Sequence, residues 1–142
     1  MYRILPLGNE RGGYMQKLTI LIVDNSPEFR HVLKRLLRTQ PDIEILGEAE
    51  DGRQALELAR MLRPDVVLMD VRMPRQDGLE STRKLSEELP EIKVIVLSLY
   101  DIEEYKEVAL ASGAFGYIIK RNMVNELIPA LNEAALANRF PM

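Results

Sequence analysis

Five residues carry the side chains most suited to chemistry: Asp24, Asn25, Asp70, Ser98 and Lys120. Each stands at or just past the end of a short apolar run. Together they supply two carboxylates, a carboxamide, a hydroxyl and an ammonium. Such a set suits transfer of a phosphoryl group to a carboxylate, because an aspartate can act as the nucleophile and hold the product as an acyl phosphate. Transfer depends mainly on neutralising the phosphoryl oxygens and little on covalent help. A hard cation such as Mg2+ does this, held by one or two carboxylates with waters and substrate oxygens. Asp24 and Asp70 are the carboxylates that would hold it. Lys120 would pair with a second phosphoryl oxygen, and the Ser98 hydroxyl would donate to a third. Taken singly, each has a plainer reading: an Asp at a strand end usually caps a turn or helix, and a Lys is usually solvated. Only if all of them share one place do they form a phosphoryl-transfer site.

The elements that must bring them there are legible. Five apolar runs, Leu18–Val23, Ile43–Leu46, Asp65–Met69, Ile92–Leu97 and Gly116–Ile119, are mostly rich in Val and Ile and nearly continuous. Strands buried on both faces of a parallel sheet read this way. Between and after them lie helical stripes: Phe29, Val32, Leu33, Leu36 and Leu37; Ala55, Leu58, Ala59 and Leu62; Leu79, Thr82, Leu85 and Leu89; Val108, Ala109 and Ala111, with Tyr105 a turn earlier; Leu127, Ile128, Leu131 and Ala135. Ser26-Pro27 has the form of an N-cap followed by a first helical position. Pro41, Pro64 and Pro90 mark stops, and Gly113 fits a C-terminal cap. Pro129, inside the last helix, is expected to bend it. Strand and helix thus alternate five times, which predicts a parallel α/β sheet with helices on both faces and right-handed crossovers. Ligands of such sheets bind at the carboxyl ends of the strands, where the five residues lie.

Composition agrees. The chain has 142 residues, 46% hydrophobic and 29% charged, a globular balance for one core. A net charge of −3 argues against a dedicated nucleic-acid binder. Without cysteine there are no disulfides or thiolate metal sites, which fits a cytoplasmic setting. No apolar run approaches the roughly 18 residues of a membrane span. The first 16 residues, with Gly8, Gly12 and Gly13 around Glu10 and Arg11, are expected to be a mobile arm. The organised domain is placed at 17–138, followed by a short tail at 139–142.

Over residues 17–138 the sequence resembles the receiver domain of two-component response regulators. The matching stretches are Ile20-Leu-Ile-Val-Asp24-Asn25, Pro64-Asp-Val-Val-Leu-Met-Asp70-Val-Arg-Met-Pro74, Asp77-Gly78, Val94-Ile-Val-Leu-Ser98 and Gly116-Tyr117-Ile-Ile-Lys120. The wording around Asp70 and Ser98 is similar to the subfamily that usually carries a C-terminal helix-turn-helix. The resemblance implies a flavodoxin-like (βα)5 fold with strand order 2-1-3-4-5. It makes Asp70 the phosphoacceptor, with Asp24 and the backbone carbonyl of Arg72 as Mg2+ ligands. Lys120 becomes the phosphate-pairing lysine, Ser98 the switch hydroxyl and Tyr117 the aromatic switch. The fourth helix, fifth strand and fifth helix would form the surface that changes partners. Implied partners are a sensor histidine kinase and an output domain or downstream protein. DNA would be reached only through a separate domain, no membrane is involved, and a homodimer through the fourth- and fifth-helix face is open. The domain would catalyse only its own phosphorylation and dephosphorylation.

Three departures stand out. Asn25 occupies the position where the family usually has a second carboxylate. Two unit charges about 4 Å apart at an effective dielectric near ~20 interact by about 4 kcal/mol, so losing one should weaken Mg2+ binding and slow phosphorylation without abolishing them. Leu99 follows Ser98 where a small residue is common, and is expected to narrow access. Arg121 follows Lys120 where relatives often have proline. Asn25 also keeps a second function open, a phosphorylation-independent interaction module. A phosphatase with an aspartyl nucleophile needs a second Asp two residues on, but Arg72 and Ser26 stand there. A flavin site lacks a phosphate-cradling loop after the first strand. His31, the only histidine, is expected to be a partly exposed helix residue.

Overall fold

A computed structural model of the chain describes residues 7–8, 15–71 and 77–139. Leu7–Gly8 and Met15–Gln16 pair as a short antiparallel ribbon. The main sheet has five parallel strands: β1 (Leu18–Val23), β2 (Ile43–Ala49), β3 (Val66–Val71), β4 (Lys93–Ser98) and β5 (Gly116–Ile119), in the order β2-β1-β3-β4-β5. Its helices are α1 (Pro27–Leu37), α2 (Gly52–Leu62), α3 (Asp77–Glu88), α4 (Glu103–Ala111) and α5 (Met123–Arg139), the last preceded by a 3-10 turn at Lys120–Asn122. This is the expected fold class and strand order.

Period-two alternation in the strands sends side chains to two cores. Leu18, Ile20 and Ile22 of β1, Val66 and Leu68 of β3, and Ile95 and Leu97 of β4 pack against α1 and α5. Leu21, Val23, Val67, Met69, Val94 and Val96 face the other way, against α2, α3 and α4. Because β1 lies between β2 and β3, the chain reverses its winding direction there, and α1 and α5 share one face. That reversal opens a crevice at the carboxyl ends of β1 and β3.

Local signals act as their chemistry requires. The Ser26 hydroxyl accepts from the Phe29 amide at 3.2 Å, capping α1 with Pro27 in its first turn. Asp51 caps α2 by accepting from the Gln54 amide at 2.8 Å. Gly113 takes φ of 101°, the left-handed conformation that ends α4.

Several expectations are corrected. Val32, placed in the α1 stripe, is 52% exposed, so the buried face of α1 is narrower and centres on Leu33 and Leu37. In α4 only Ala109 of the quoted residues is buried, and Val108 is exposed. β2 runs three residues past Leu46, through a bulge opposite Ile20 and Leu21. α5 keeps Pro129 inside a continuous Met123–Arg139 helix, so the proline does not end it. Proline there removes one donor to the carbonyl of Asn125, an exposed residue that water can serve.

Candidate functional site

Register fixes the site. Val23 of β1 lies opposite Met69 of β3, so Asp24 and Asp70, one residue on, are neighbours at the crevice. Val71 lies opposite Ser98, and Ser98 opposite Ile119, which brings Ser98 and Lys120 to the same edge.

Three of the residues meet directly. Lys120 Nζ lies 2.9 Å from Asp24 Oδ2 and 2.8 Å from Asp70 Oδ1. All three side chains are shielded, at 12%, 1% and 8% exposure. A bare pair of carboxylates this close would repel strongly, and the ammonium is the counter-charge that lets both sit there. The other Asp24 oxygen accepts from the Ser26 amide at 2.8 Å. The Asp24 carbonyl accepts from Arg30 at 2.5 Å, and Arg30 in turn pairs with Glu48 at 2.9 Å. Asp24 is therefore held at both its carboxylate and its backbone.

Asn25 follows Asp24 and is exposed. The Arg72 carbonyl lies outside the described residues. The Ser98 hydroxyl is buried and accepts from the Tyr100 amide at 3.1 Å. The half-buried Tyr117 donates its hydroxyl to the Tyr100 carbonyl at 2.6 Å. Ser98 and Tyr117 are thus both tied to Tyr100, whose ring meets Tyr105 of α4 edge to face at 5.6 Å. Leu99 is 61% exposed at the rim.

Gly78 explains a motif that sequence alone left as a pattern. A Cβ there would lie 2.5 Å from the Asp70 carbonyl oxygen and 2.8 Å from Val71 Cγ2. Only glycine lets the start of α3 come this close to the end of β3. Two contributors were not foreseen. Phe29, read only as a core residue, places its ring 3.9 Å from Lys120 Nζ, and Arg30 anchors the Asp24 backbone. The available signal was their distance along the chain: an aromatic and a cation in the first turn of the helix that follows Asp24.

The donor set fits a hard divalent cation. Two carboxylates converge on one positive charge, and the ammonium between them is the internal stand-in for it. Among the described residues no group of three or more acidic, His or Cys side chains gathers. Such a cation would therefore rest on Asp24 and Asp70 with neutral oxygens and waters completing its shell.

Residues 20–132 match the model of the response regulator receiver domain. The chain belongs to the response-regulator receiver family. It is 41% identical to the transcriptional regulatory protein DegU of Brevibacillus brevis over 124 residues, covering 87% of this chain and 52% of that protein. It is also 41% identical to the nitrate/nitrite response regulator NarL of Escherichia coli K12 over 117 residues, covering 82% and 54%. The receiver thus spans about half the length of these curated relatives. Among solved structures, the response regulator domain of Thermotoga maritima CheB superposes with a TM-score of 0.75 at 32% identity, over 84% of this chain and 96% of that one. This receiver is a signalling domain of the two-component type. No helix among the described residues is long and apolar enough to cross a membrane.

Proposed function

We propose that this receiver accepts a phosphoryl group on Asp70 from a sensor histidine kinase and uses it to change the surface of α4, β5 and α5. The observation that carries this reading is the Lys120 ammonium bridging Asp24 and Asp70 at 2.9 and 2.8 Å, at the switch point of the sheet. An Asp70 oxygen attacks the phosphorus of a phosphohistidine in line. The new P–O bond forms as the P–N bond breaks, and the imidazole leaves. Lys120, already beside Asp70, meets the negative charge that arrives. Asp24, Asp70 and the Arg72 carbonyl are the groups that would hold a Mg2+ ion, which when bound would neutralise the phosphoryl oxygens further. Asn25 offers only a neutral oxygen. Water attacking phosphorus later returns the carboxylate and inorganic phosphate, so the domain catalyses only its own modification.

The switch reading rests on Tyr100. If the Ser98 hydroxyl turns to donate to a phosphoryl oxygen, the Tyr100 amide loses its acceptor. The Tyr117 hydroxyl is bound to the carbonyl of the same residue, so the loop into α4 and the aromatic side chain would move together. The partner beyond this surface is an output domain or a separate protein, in a cytoplasmic setting.

Acetyl phosphate with Mg2+ should add one phosphoryl group to the intact protein by mass spectrometry, and Asp70→Asn should take none. An unmodified wild-type chain whose partner binding ignores phosphodonor would favour the phosphorylation-independent module that Asn25 suggests.

A further inference from the structure

The Lys120 ammonium has three N–H donors and, among the described residues, meets Asp24 Oδ2 at 2.9 Å, Asp70 Oδ1 at 2.8 Å and the face of the Phe29 ring at 3.9 Å from its centroid. The ring is not an incidental neighbour. Its backbone amide donates to Ser26 Oγ, and the Ser26 amide donates to Asp24 Oδ1. A closed circuit therefore runs from the Asp24 carboxylate through the α1 cap to the Phe29 ring, across to Lys120 and back to Asp24. The carboxylate that fixes the cap also fixes the ring against its own counter-ion.

A ring face is negative at its centre and attracts an ammonium, more so where water is excluded, as at this shielded side chain. We infer that Phe29 is a positioning residue, holding Lys120 as the resident cation between Asp24 and Asp70 when no metal is bound. This deepens the reading of Asp24 and Asp70 as the metal-holding pair, and rests on it. A divalent ion approaching the two carboxylates competes with an ammonium already lodged there. Phe29 strengthens that competitor, and Asn25 supplies no charge to help the newcomer. The ring and the carboxamide therefore act in the same direction, toward an unmodified site whose two carboxylates are partly neutralised by Lys120 and less inviting to a divalent ion.

The contact itself is read by NMR: the Lys120 Hε protons should be shifted upfield by the ring current, and Phe29→Leu should remove the shift. The energetic role is read by calorimetric titration of the unphosphorylated chain with MgCl2. Phe29→Leu should tighten Mg2+ binding about two- to fivefold. Because Phe29 also packs in the core, trifluorophenylalanine at position 29 provides the isosteric control. It keeps the shape, weakens the negative ring face and should tighten Mg2+ binding in the same direction, whereas Phe29→Tyr should stay near wild type. Unchanged or weaker Mg2+ binding in the fluorinated protein, or no upfield shift in wild type, overturns the proposal. If the ring behaves as stated but wild type takes no phosphoryl group, the phosphoacceptor reading fails and the role of Phe29 stands.

Discussion

Asn25 sets the charge available beside Asp24. With it, two carboxylates face one ammonium, and a divalent ion gains one attraction fewer than a second acid would give. Solvent returns much of the gross Coulomb difference, so Asn25→Asp should tighten Mg2+ binding by about tenfold and speed phosphorylation from acetyl phosphate. An unchanged affinity and rate in that variant would refute the role given to Asn25. At this scale the polar rim was legible: Asp24, Asp70 and Lys120, separated by 46 and 50 positions in the sequence, come into direct contact. Phe29 and Arg30 were not, because an apolar stripe predicts burial but not which polar group a ring edge or face will meet. Nor does sequence reveal that a guanidinium will bind a backbone carbonyl, since any residue type supplies one.

Among the elements, the approach of α3 to β3 is the tightest fit at the site. Gly78→Ala should cost about 1–3 kcal/mol, because the added methyl meets the backbone of Asp70 and not a flexible side chain. Urea unfolding would show it, and an unaltered midpoint would mean that α3 shifts freely. The strands were readable because both faces of the sheet are buried and their apolar runs are continuous. β2 was cut short because Gly47 and Glu48 break that signal, although the backbone continues pairing past the bulge to Ala49. Val32 misled because it is apolar and at helical spacing, yet turns away from the sheet. α4 is held lightly by its own chemistry: Ile102 at its N-cap makes no side-chain bond, and Val108 and Leu110 are exposed. If the proposed turn of the Ser98 hydroxyl displaces Tyr100, an element held so lightly can follow it without dismantling a core.

For the whole molecule, stability and site share one linkage through Glu48. Its carboxyl is held below the ordinary value of 4.5, first by the hydrogen bond from Lys34 and then by that from Arg30, against partial burial. The unfolded chain thus takes up this proton at higher pH than the folded one. The stabilisation is complete above pH 4.5 and is lost as pH falls through the depressed folded value. Glu48→Gln should lower neutral-pH stability by about 1 kcal/mol or less, given its partial exposure, and flatten the acid limb of the stability curve. A parallel limb in both proteins would contradict this. The reversal of winding at β1 opens the crevice that places Asp24 beside Asp70. The most direct measurement is borohydride trapping after treatment with acetyl phosphate and Mg2+, followed by peptide sequencing in the mass spectrometer. An acyl phosphate is reduced to the alcohol, so homoserine should stand at position 70. Homoserine at position 24 or at another acid, or none at all, would contradict the assignment of Asp70 as the phosphoacceptor.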